Sequence, residues 1–128
     1  MSWQDYVDNL LASGDVYGAV IVGLDGGLWA RSDSLLRISQ DEINAVLKSF
    51  EPEGYQAIVA NGCFLAGEKY MAISGNQRTV YLRRGSSGAA LAKTGSCVII
   101  GVHSDAMVPG NFNSAIGRVA DFLIESGC

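Results

Sequence analysis

The chain has 128 residues, 48% hydrophobic and 17% charged, which suits one domain over residues 1–128 with one core and excludes a disordered chain. A formal charge of -4 argues against a general nucleic-acid binder, and no apolar run approaches the roughly 20 residues of a membrane span. The average hides an asymmetry: Lys69, Arg78, Arg83, Arg84 and Lys93 cluster in one stretch, while the first part of the chain is mostly acidic, so one face is expected to be basic.

In chain order, Ser2 and Asp5 carry the S-x-x-D start signal of a helix. Trp3, Val7, Leu10 and Leu11 then recur at helical spacing, with Tyr6 at the edge of that stripe and Gly14 as the stop. VYGAVIVGL and LWARS, separated by Asp25, Gly26 and Gly27, read as a β-hairpin. Ser39 and Glu42 form a capping box ahead of Ile43, Val46, Leu47 and Phe50, which gives a second helix. From Tyr55 to Ser104 the segments YQAIVA, CFLAG, KYMAISG, TVYLRR, AALAKT and CVIIGV read as strands of an antiparallel meander. Pro109 and Gly110 open a last helix, whose residues Phe112, Ile116, Val119, Ala120 and Leu123 can face a sheet. The fold class is α+β, an antiparallel sheet with terminal helices packed on it.

Catalytic chemistry has no sharp candidate. The one histidine, His103, ends an apolar strand, where a satisfied strand-end or surface imidazole is the default. GSSGAALAKTG lacks the Gly before Lys93 that a phosphate loop requires. Asp41, Glu42, Glu51 and Glu53 read as solvated carboxylates around a capped helix. Cys63, Cys97 and Cys128 are odd in number and lack a C-x-x-C pair, so free thiols in a reduced, cytosolic setting are expected. No basic leader precedes an apolar run at the start, so no secretory signal is expected. No metal and no cofactor is expected.

Trp3, Tyr6 and Trp29 allow two readings. As core fillers they need nothing more. As a surface they offer flat apolar faces with N–H and O–H donors, which suit an already extended proline-rich peptide with unpaired carbonyls.

W-Q-D-Y-V-D at residues 3–8 resembles the opening of profilins, the small actin-monomer-binding proteins. GLDGGLWA (23–30), LAGEKYMAI (65–73), VYLRRGSSG (80–88), VIIGVHSDAMVPG (98–110) and VADFLIESG (119–127) follow the same family in order. The short loops resemble its amoeboid and plant branch. The resemblance implies a central antiparallel sheet with the N- and C-terminal helices together on one face and smaller helices on the other.

It also implies three binding activities and no enzymatic one. A groove for proline-rich proteins such as formins would use Trp3, Tyr6, Trp29, Phe122 and Leu123. The family usually ends in an aromatic that closes this groove; Cys128 stands there instead, which implies a grip weaker by about 1 kcal/mol. An actin face would use Lys69, Arg83, Arg84, Met107, Val108, Gly110, Asn113 and Arg118, with Phe112 as apolar anchor. Ser114 and Gly117 stand where the family often carries charge. Anionic inositol lipids would meet Arg78, Arg83, Arg84 and Lys93.

The implied protein is a cytoplasmic, cytoskeletal monomer that binds monomeric actin at its barbed end and hinders nucleation and pointed-end addition. It would leave barbed-end addition open, favour nucleotide exchange by selecting an open actin cleft, and deliver actin to proline-rich elongation factors. The alternative implied by the same fold is an adaptor that binds proline-rich segments and has lost actin.

Overall fold

The computed structural model describes residues 2–128. Its elements are α1 (Trp3–Ala12), β1 (Gly18–Gly23), β2 (Leu28–Arg31), a 3-10 turn (Asp33–Leu35), α2 (Gln40–Lys48), α3 (Gly54–Asn61), β3 (Cys63–Leu65), β4 (Glu68–Gly75), β5 (Thr79–Arg84), β6 (Ser87–Lys93), β7 (Cys97–His103) and α4 (Pro109–Glu125). The seven strands form one antiparallel sheet in the order β2-β1-β7-β6-β5-β4-β3. The meander from β3 to β7 is therefore continuous, and β1 closes onto the last strand, with Gly18 opposite Val102 and Gly23 opposite Cys97.

Side-chain alternation along the strands creates two cores, one on each face. On one face Val7 and Leu10 of α1 and Phe112, Ala115, Ile116, Ala120 and Leu123 of α4 bury against Ala19, Ile21, Ala90, Ala92 and Ile99. On the other, Ile43, Val46, Phe50 and Ile58 bury against Val20, Val22, Val80, Leu82, Leu91, Val98 and Ile100. Each large aliphatic side chain fully buried this way contributes roughly 1.5–3 kcal/mol. The expected architecture is therefore observed, with α1 and α4 on one face and α2 and α3 on the other.

Local signals explain the helix ends. Ser2 and Asp5 exchange both bonds of a capping box, as do Ser39 and Glu42. Glu42 is also not the solvated carboxylate expected: it accepts from the Ala66 N–H at 3.0 Å and the Gly67 N–H at 2.8 Å, which clamps the β3–β4 turn to α2. Ala66 holds φ 52°, a left-handed conformation that a side chain tolerates only with such support.

One element differs from the sequence expectation. YQAIVA is helical, within α3, not a strand. Its apolar residues alternate too weakly to settle the period, and the decisive features lie just before it. Glu53 holds φ 66°, and a Cβ on Gly54 would lie against the Lys48 carbonyl. That turn directs the chain into a helix over the sheet rather than along it.

Candidate functional site

The aromatic residues of α1, β2 and α4 form one row. Trp29 and Trp3 have ring centroids 4.7 Å apart, Trp3 and Tyr6 5.9 Å, and Tyr6 and Phe122 6.2 Å, with every pair tilted. Tilted pairs in this range are favourable, at about 0.5–1.5 kcal/mol each beyond area burial. Trp3 and Tyr6 are half-buried, whereas Trp29 is 37% and Phe122 52% exposed. The row is thus part core and part surface.

Three supports hold it. The Gln4 side-chain amide donates to the Arg31 carbonyl at 3.0 Å and to Asp8 Oδ1 at 3.1 Å, fixing α1 against β2. The Trp29 ring lies over Gly23, where an added Cβ would sit 2.8 Å from Cε2 and Cζ2. Cys128, packed at the margin of the same core, accepts at its carbonyl from the Ser96 N–H at 2.7 Å and the Ser96 hydroxyl at 2.9 Å. Leu123 needs correction as a contact residue: it is 1% exposed and forms the floor beneath the row. Its position in the stripe of α4 that faces the sheet requires this.

A second surface lies beyond the other flank of α4. That helix packs over β6 and β7 and reaches Tyr81 of β5, and the same sheet face is exposed at Arg83, Met71, Ile73 and Phe64. Pairing places Arg83 opposite Met71 and Lys69 opposite Phe64. Met71, Ile73 and Phe64 are all exposed. Ile73, Tyr81, Arg83, Pro109 and Asn113 line a cavity of about 230 Å³ there. The surface therefore has an apolar centre with Lys69 and Arg83 around it, and Met107 and Val108, just before α4, and Gly110, in its first turn, flank Pro109, which lines that cavity.

Phe112 needs correction as the apolar anchor. It is 0% exposed, lies tilted against His103 with ring centroids 4.8 Å apart, and belongs to the core. Met71 and Ile73 are the exposed apolar side chains on that face. The sequence signal was present, because apolar residues at the exposed parity of a strand have no core to fill.

Arg84 needs correction as well. Adjacent strand residues point to opposite faces, so Arg83 and Arg84 cannot act together. Arg84 turns to the α2/α3 side and pairs with Glu68, beside a cleft of about 790 Å³ that also takes in Arg37, Tyr17 and Tyr70. Burial pushes the Tyr70 hydroxyl upward, with Arg84 opposing. Arg118 is likewise displaced from its expected neighbours. It lines the crevice between α1 and α4 with Tyr6 and Phe122, whereas Asn113 faces the other flank.

The four candidate lipid contacts are therefore divided. Arg78 and Lys93 share one narrow groove beside α4, and the Lys93 N–H donates to the Arg78 carbonyl at 2.7 Å. Arg83 and Arg84 lie elsewhere. His103 is the last residue of β7, as expected of a strand-end imidazole, and is buried, with Nδ1 3.0 Å from the Ser104 carbonyl oxygen. Cys63 and Cys97 are buried free thiols whose ionisation burial opposes, with Cys63 pushed up to about 12.

The family model described as Profilin matches residues 1–128. The chain belongs to the profilin family. Profilin-P of Physarum polycephalum is 38% identical over 128 residues, 99% of this chain and 99% of that protein. The crystal structure of Acanthamoeba castellanii profilin II is 38% identical and superposes with a TM-score of 0.93, covering 99% of this chain and 100% of that one. Mouse profilin IIa, solved in complex with a double repeat from the FH1 domain of mDia1, shares the fold at a TM-score of 0.82 and 22% identity, with 100% of both chains covered.

Within the profilin fold, sequence reading missed Gln4 and Gly23 as supports and Phe64, Met71 and Ile73 as surface. Gln4 carries no local signal, since its partner is brought in by β2. No helix among the described residues is long and apolar enough to cross a membrane.

Proposed function

We propose that this chain is a non-enzymatic, cytoplasmic regulator of actin that binds proline-rich segments and monomeric actin on separate surfaces. The observation that carries this reading is the Trp29, Trp3, Tyr6 and Phe122 row. A polyproline II chain advances about 3.1 Å per residue, so each ring-to-ring step spans about two residues. Apolar pyrrolidine rings would lie between the aromatic faces, while the Trp N–H and Tyr O–H groups donate to carbonyls that the peptide cannot pair internally. The FH1 repeat bound by mouse profilin IIa supports the same ligand class here.

Actin takes the second surface. Exposed Met71, Ile73 and Phe64 supply apolar area for a buried centre, while Lys69, Arg83, Val108, Gly110 and Asn113 surround it and the two cations steer an acidic partner. Occupying an actin monomer there regulates its polymerisation. Because α4 separates the two surfaces, a bound actin is carried to any site that presents proline-rich segments, including barbed ends, by raised local concentration alone. Support for an inositol-lipid site narrows to Arg78 and Lys93, where two neighbouring cations each contribute about 1 kcal/mol near an anionic surface.

Sedimentation velocity of monomeric actin with this protein and an amidated proline decamer tests the reading. A single boundary containing all three components is expected. Peptide bound without actin would leave the adaptor function, and peptide displaced by actin would contradict separate surfaces.

A further inference from the structure

The crevice between α1 and α4 continues past the aromatic row into a cavity of about 260 Å³, bounded by Tyr6, Asn9, Ser13, Arg118 and Phe122. None of its other lining residues is charged, and Arg118 is exposed with no salt-bridge partner among the described residues. Asp121, the nearest acid along α4, faces the opposite flank with Arg78 and Lys93. On α1, Asp5 is engaged by the Ser2 cap and Asp8 by Gln4. A cation thus stands unopposed at the end of an apolar path that leads directly from the rings.

We propose that Arg118 reads an acidic residue flanking the proline run, so that the preferred ligand is a proline-rich peptide with a Glu or Asp immediately beside it. The inference rests on the aromatic row being the proline site. Tyr6 and Phe122 form the wall shared by the row and the cavity, so a chain leaving the last ring step borders the crevice. Its next side chain meets the Arg118 guanidinium, whose planar fork matches a carboxylate. Exposure limits the gain to that of a surface ion pair, and the chain's net negative charge opposes long-range attraction. The preference is therefore local, salt-sensitive and modest.

The test uses proline decamers, amidated and acetylated to remove terminal charge, extended by Glu, Gln or Lys at one end or the other. Binding is read by titration at low and at physiological salt. The Glu peptide in one orientation is expected to bind about three-fold tighter than its Gln counterpart at low salt, with the ratio shrinking as salt rises. Arg118→Gln brings that ratio to one, Arg118→Lys retains part of it, and Arg118→Glu shifts preference to the Lys peptide. Equal binding of Glu and Gln peptides in both orientations overturns the proposal, as does a Glu preference that survives Arg118→Gln. Failure of the unextended decamer to bind is a different result: it overturns the aromatic site itself, and this inference with it.

Discussion

Trp3 and Trp29 meet with ring centroids 4.7 Å apart at an interplanar angle of 39°, one carried by the first turn of α1 and the other by the edge strand β2. Gln4, the residue after Trp3, locks that meeting by donating to the Arg31 carbonyl. The pair therefore depends on helix–strand docking as much as on ring-to-ring attraction. Trp29→Ala is expected to cost about 1 kcal/mol of stability, since the ring is partly exposed. It should nevertheless remove most proline affinity. Gln4→Ala should leave both rings in place chemically yet weaken binding by loosening α1. Urea unfolding set beside peptide titration separates the two effects; equal losses of stability and affinity in Trp29→Ala would oppose a ligand role.

The close approach of α4 to β7 depends on Gly101. A Cβ there would lie 2.5 Å from Ile116 Cδ1 and 3.2 Å from the Phe112 ring, and both side chains are fully buried with no room to yield. Gly101→Ala is expected to destabilise by about 1–3 kcal/mol through overpacking. Chemical denaturation checks this, with Gly110→Ala as reference, since nothing lies within 4 Å of a Cβ at that position.

Alkaline pH should weaken the fold through Cys63. Its thiol is pushed from 9.0 up to about 12, chiefly by burial and secondarily by Glu42. Below pH 9 the thiol is neutral in both folded and unfolded chains, and its contribution is intact. Between pH 9 and about 12 only the unfolded chain loses the proton, so stability falls with rising pH. Burial acts with the same sign on Tyr70 and Cys97. The slope of stability against pH in this window should flatten, without vanishing, in Cys63→Ala.

Arg83 and Arg84 should differ sharply despite being neighbours. Arg83 shares its face with Met71, whereas Arg84 is paired to Glu68 on the other side of the sheet. Arg83→Glu is expected to weaken binding of monomeric actin at least ten-fold, by placing a repulsive charge beside the apolar centre. Arg84→Glu should change it less than three-fold. Titration of labelled actin monomers checks this, and equal losses would contradict the assigned face.

Much of the fold was legible because its signals are local. Both capping boxes, the β1–β2 hairpin, the strands of the meander and the start of α4 each depend on a few adjacent residues. YQAIVA defeated the reading because its helix follows from the left-handed Glu53 and the tight Gly54, and the packing of α3 over the sheet is invisible to periodicity. The candidate site was legible in its aromatic residues but not in their burial. Family likeness supplied positions such as Leu123 and Arg84, with Phe112 added beside them as an apolar residue, while depth and facing are set by the stripe of α4 and the parity of β5. Parity can be counted in a sequence once a strand is assigned, so the separation of Arg83 from Arg84 was available there.

The most direct measurement is a titration with poly-L-proline that follows intrinsic tryptophan fluorescence in the unmodified chain and in Tyr6→Ala. Both tryptophans, Trp3 and Trp29, lie in the row, so the signal reports the site itself. A saturable change that is lost in Tyr6→Ala, with unfolding still cooperative in that variant, is the result expected. No saturable change in the unmodified chain, or an identical one in Tyr6→Ala, would contradict the assignment of the aromatic row to proline-rich ligands.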